Sequence, residues 1–172
     1  MKNFITIAAL TLSGGGDPLY EYEDNYEWWN KLFDFSNTHH IPLELHTSYK
    51  VIDGISALFH RVVYHCQKVE DLFRIKRSWN EKTRAVFVVT PDFDVMKIGD
   101  IHTIVKHHPD IDELSFRQMV DENYEPTTYC QHFLRDFHKT FWYYIEQDDY
   151  NTYYVNGKIY HKFADIGTSE NM

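Results

Sequence analysis

The strongest constraint on this chain is the recurrence of short strand-like runs separated by helix-patterned or polar stretches. The runs are Phe4–Leu12, Leu43–Thr47, Arg61–His65, Arg84–Val89 and Glu113–Arg117. The first is continuously apolar, as a strand buried on both faces of a parallel sheet reads, and Arg84–Val89 reads as a central strand. Between the first two runs, Tyr22, Tyr26, Trp29 and Phe33 fall at i, i+4, i+7 and i+11 and predict a helix with its aromatic face packed into the core. Val69, Leu72 and Phe73 make a second helical face. Asp94 reads as the N-cap of a third helix, with Val95, Ile98, Ile101 and Val105 inward and Pro109 preventing its continuation.

Strand and helix alternating at intervals of roughly 20–30 residues is the pattern of right-handed βαβ units. The expected fold is α/β, with residues 1–125 forming a sheet of about five mainly parallel strands under outer helices. Ligands belong at the carboxyl ends of such strands. After Pro126 the pattern changes. Tyr129, Phe133, Phe137 and Phe141 mark another helix, and residues 152–161, with Asn156-Gly157 at the centre, predict a β-hairpin with a two-residue turn. Residues 126–172 are thus an appendage of the same compact unit, and Thr168–Met172 reads as a frayed end.

Composition narrows the function classes. At 172 residues the chain suits one domain, and 43% apolar with 25% charged residues is globular. The net charge of −9 repels a phosphate backbone and disfavours nucleic-acid binding. Phe4–Leu12 is too short to cross a bilayer, which takes about 20 apolar residues, so no membrane association is expected. Two cysteines, Cys66 and Cys130, provide neither a disulfide framework nor a metal clip, and a cytoplasmic location fits. The 11 histidines form no HxxxH or HExxH pattern, and no metal site is assigned; the one route to one is convergence of His46 and His65 at the strand ends. Aromatic residues reach 17%, so many rings sit half-buried with polar ends outward.

The segment that carries chemistry is Gly14-Gly15-Gly16-Asp17-Pro18, directly after the first strand. Glycines there let a ligand approach the backbone closely. A phosphate loop is excluded because no Gly-Lys-Ser/Thr follows, and a dinucleotide fingerprint fails because Leu19 stands where its last glycine belongs. Gly15-Gly16-Asp17-Pro18 after an LTLSG strand resembles the GG(D/E)P motif that ends the second strand of the radical S-adenosylmethionine (SAM) enzymes. The resemblance covers roughly residues 3–120. It implies a partial (β/α) barrel, with the five runs as the second to sixth strands of that family's core.

What the resemblance implies about ligand contacts is carried residue by residue. Gly15, Gly16 and Asp17 match the turn that receives the SAM amino group, and Thr47 and Ser48 match ligand-facing positions at the end of the next strand. His65 and the Val88–Thr90 strand end resemble ribose and adenine neighbours, and Arg117 stands where it meets a carboxylate. Each position also has a structural role open to it: Asp17 as turn-former, Thr47 and Ser48 as caps, Arg117 paired with Glu44 or Asp112. The family's CxxxCxxC loop is not in this chain, and two isolated cysteines supply too few thiolates for a [4Fe–4S] cluster. The implied protein is a truncated radical-SAM-like domain, inactive alone, with at most weak SAM binding or a place in a larger enzyme. An unpaired Phe4–Leu12 edge predicts a homodimer or a missing-fragment partner there. The alternatives are an adaptor domain and an α/β domain for another small molecule or nucleotide.

Overall fold

The structure, a computed structural model, describes residues 9–13, 16–50, 52, 54–77, 79–119, 152–161 and 165, and the backbone of 142–145. Six strands form one parallel sheet: β1 (Leu10–Leu12), β2 (Leu43–Thr47), β3 (Arg61–Cys66), β4 (Lys82–Val89), β5 (Glu113–Gln118) and β6 (Trp142–Ile145). They lie side by side in chain order. The α/β expectation with a parallel sheet and flanking helices is met, and β6 extends the sheet by a strand. Of the Phe4–Leu12 run, only Leu10–Leu12 is described as strand; the helix expected around Tyr129–Phe141 lies outside the described residues.

Among the described residues two α-helices occupy the connections. Tyr26–His39 is α1, and Ile98–His107 is α2, entered through a one-turn 3-10 helix at Val95–Lys97. Asp94 caps that entry by accepting from the Met96 amide at 3.1 Å. His40 ends α1 in the left-handed conformation (φ 53°), with Ile41 donating back to the Ser36 carbonyl. The Val69–Arg74 segment is a 3-10 helix, in which Leu72 is buried but Phe73 is exposed, so the expected face there is narrower. The aromatic stripe of α1 is likewise only partly core. Trp29 and Phe33 are buried and stack on each other, whereas Tyr26 is 58% exposed.

Strand alternation sorts the sheet into two faces. Leu43, Leu45, Val62, Tyr64, Cys66, Ala85, Phe87, Val89, Leu114 and Phe116 join Trp29, Phe33, Ile98, Ile101 and Val105 of the helices in one apolar core. Their neighbours along each strand, Glu44 and His46, Arg61 and His65, Arg84 and Val88, Glu113 and Arg117, take the other face. A separate antiparallel pair, β7 (Tyr153–Val155) and β8 (Lys158–Tyr160), forms the expected hairpin. Asn156 (φ 49°) and Gly157 (φ 80°) both take positive φ at its turn, the geometry that Asn-Gly favours.

Candidate functional site

The carboxyl edge of the sheet holds the described residues singled out from the sequence, but in two groups. The first is built by Asp17 in the turn after β1. Its carboxylate accepts from the Thr47 hydroxyl at 2.8 and 2.9 Å, from the Ser48 amide, and from the Leu19 amide at 3.1 Å. The turn is thereby clamped to the end of β2. Thr47 shares the face of Leu43 and Leu45 and is buried, so this clamp sits on the helix-covered side. With its oxygens spent on these donors, the Asp17 side chain does structural work, and its carbonyl accepts from the Tyr20 amide at 2.9 Å. Gly16 is exposed, and a Cβ built on it meets nothing within 4 Å. Gly15 lies outside the described residues.

The second group lies on the opposite face. His65, Val88 and Arg117 are half-buried there, with Val88 and Arg117 directly paired across β4 and β5. Lys50 connects the groups: its ammonium donates to the Ser48 carbonyl at 2.6 Å and to the His65 carbonyl. Beside it, Nδ1 of His46 and Nε2 of His65 share a hydrogen bond at 3.2 Å. Burial first, then the charges around it, push His46 down to about 3, and burial with Arg117 and Lys50 lowers His65 while Asp17 opposes. Both imidazoles are therefore neutral at physiological pH.

Deeper on this face is a charge ladder. Arg61 pairs with Glu44 and lies 3.4 Å from Glu113, and Arg84 reaches Glu113 through Nε at 2.7 Å and Nη2 at 2.6 Å. The pairings open to Arg117 from sequence are not made: Glu44 is taken by Arg61, and Asp112 by Arg77 and the Thr83 amide. Lys50, Ser115 and the pairings of the ladder carry no assignment from the sequence, whereas His46 does meet His65 at the strand ends. Their signal was the period-two placement of polar residues in successive runs, Glu44/His46, Arg61/His65 and Glu113/Ser115/Arg117.

The histidine pair brings together the two residues a metal would need, yet Arg117, Arg84 and Arg61 all act on His46 and oppose a cation. Among the described residues no three His, Cys, Asp or Glu side chains form a metal-ligating group. Cys66 does not fit a cluster on the polar face: it is buried in the helix-side core, where burial pushes its thiol up to about 12. For SAM the fit is partial, through exposed Gly16 and the guanidinium of Arg117, which has no carboxylate partner among the described residues. Among the described residues no helix is long and apolar enough to cross a membrane. Neither a protein-family model, nor a curated protein, nor a solved structure matches this chain.

Proposed function

We propose that this chain is a radical-SAM-like binding domain that takes S-adenosylmethionine weakly at the carboxyl edge of its sheet and performs no radical chemistry alone. The observation that supports this reading is the arrangement of the edge. Exposed Gly16 follows β1, and β3 and β5 present His65 and Arg117 on a polar face of a sheet whose strands run in chain order. In this reading the Gly16 backbone receives the amino group, and the polar face lies beside the rest of the ligand. The resident cluster of the family would add electron transfer to SAM, and this chain's two cysteines do not support one.

Calorimetric titration with SAM tests this, comparing the chain with Gly16→Val. A Cβ at this position meets nothing within 4 Å, so equal urea midpoints for the two chains would assign a loss of binding to ligand approach and not to folding. Saturable binding weaker than micromolar, lost in Gly16→Val, is the expected result. No binding at millimolar SAM, or equal binding by the variant, overturns the reading.

A second reading, an interaction module, is favoured by α1. Besides its buried stripe it carries Trp28 (52% exposed), Leu32 and Phe35 (45% exposed) at i, i+4 and i+7. Among the described residues the outer edge of β1 is unpaired. A second copy fits best. A two-fold axis sets the α1 helices antiparallel, with Glu23, Asp24 and Glu27 at one end facing His39 and His40 at the other. Sedimentation should show a dimer that Phe35→Asp dissociates; a stable monomer at high concentration overturns it.

A further inference from the structure

The polar face of the sheet is not charge-balanced. Glu44 and Glu113 answer Arg61 and Arg84, but among the described residues no carboxylate reaches Arg117. Burial first lowers its pKa and Arg84 adds repulsion, while Tyr153 in β7 opposes both. Among the described residues, neither the buried Nε of Arg117 nor the fully buried hydroxyl of Ser115 has a hydrogen-bond partner. These atoms belong to one face of β5, two residues apart, or roughly 7 Å between Cα atoms. Ser115 stands in register with Val86, which is in register with His65, so the neutral histidine pair lies on the same face.

A guanidinium taken from water without a counter-charge costs free energy, and so does an orphaned hydroxyl. Both costs vanish if the site is completed by an oxyanion. From this imbalance we infer that Arg117 and Ser115 form a binding site for the carboxylate of a small organic molecule. A single uncompensated positive charge matches a monoanion better than a phosphate dianion, and the guanidinium fork with a hydroxyl beside it is the donor set that a carboxylate accepts. The nearby imidazoles, being neutral, add N–H groups and no competing acid.

The site is tested without SAM, so its failure is distinct from failure of the reading above. In the 15N-labelled chain, the Arg117 Nε–H resonance is identified by its disappearance in Arg117→Lys and followed during titration with sodium acetate, inorganic phosphate, or sodium chloride at matched ionic strength. A saturable shift with acetate, a weaker one with phosphate and none with chloride is expected. Tighter saturation by phosphate overturns the carboxylate assignment, and absence of saturation by either anion overturns the site. Arg117→Met supplies the second reading. Removing an unpaired buried charge should leave the urea midpoint equal or higher and abolish stabilisation by acetate; a lower midpoint in the absence of acetate would make Arg117 a structural cation and sink the inference.

Discussion

The two faces of one sheet solve the problem of burial in opposite ways. On the helix-covered face Phe87 stacks on Phe116 at 6.0 Å between centroids, with Phe93 edge-on to both, and every inward strand side chain from Leu43 to Phe116 is apolar apart from Thr47, Thr83 and the buried hydroxyl of Tyr64. On the other face Glu44, Arg61, Arg84 and Glu113 pair their charges, two imidazoles share a hydrogen bond, and among the described residues Arg117 has no carboxylate partner and Ser115 no hydrogen bond, while Arg61 Nε has only Glu113 at 3.4 Å. An apolar face is stabilised by contact with whatever fits, and tolerates no ligand once filled. A polar face is stable only where each group finds a partner, so the place where partners run out marks where a ligand belongs.

The largest test of this contrast is truncation on the apolar side. Phe87→Ala should cost about 3–5 kcal/mol in urea unfolding, because the ring is buried among aromatic neighbours that cannot close the gap. A cost under about 1 kcal/mol would show that this face is not the main source of stability. Next comes Glu113→Gln on the polar side. It removes the charge that both Arg84 and Arg61 use, and with partial solvent access the expected loss is about 2–3 kcal/mol. An unchanged midpoint would mean that the ladder is screened by water and that the contrast between the faces is smaller than drawn.

Acid separates the faces more selectively. His46 and His65 have folded pKa values below the unfolded value near 6.5, so the unfolded chain binds protons first and stability falls as pH drops below about 6.5. For His46 the loss runs down to about 3, at about tenfold in the folded-to-unfolded ratio per pH unit. The carboxylate of Asp71, which accepts from the Gln67 and Lys68 amides and is held below its usual range, adds its loss only at the acid end. His46→Gln should flatten the limb between pH 6 and 4 in urea melts at successive pH values; an unchanged slope would place the titration elsewhere. The smallest effect belongs to the hairpin that carries Tyr153. Gly157→Ala has open space for its methyl but a φ of +80°, and should cost about 1 kcal/mol of local stability, visible as faster amide exchange in Tyr153–Tyr160 with the sheet unaffected.

Much of the fold was legible because its causes are local. The strands at Leu43–Thr47 and Glu113–Arg117, the cap at Asp94 and the turn at Asn156-Gly157 follow from alternation, side-chain acceptors and backbone freedom within a few residues. Where local reading overreached, competition was the reason. A helical face at Val69–Phe73 tightened into a 3-10 turn with Phe73 outside, and the α1 stripe divided between core and surface, because a helix of 14 residues carrying several aromatic rings cannot bury all of them against one sheet.

The site was legible only in its outline. Sequence alone determined that a glycine turn follows a strand, that polar residues alternate with apolar ones, and that ligands belong at the strands' carboxyl ends. It did not determine which charges meet. Glu44 and Arg61 are 17 residues apart, and His46 and His65 are 19 apart. Asp17 spends its carboxylate on donors some 30 residues away rather than on a ligand. Those partnerships are decided by sheet register, which shifts every side chain to the other face if it slips by one residue and is set by the sum of contacts across the whole core. Tertiary structure therefore decided that Arg61 and Arg84 would meet Glu44 and Glu113, and that among the described residues no carboxylate would reach Arg117.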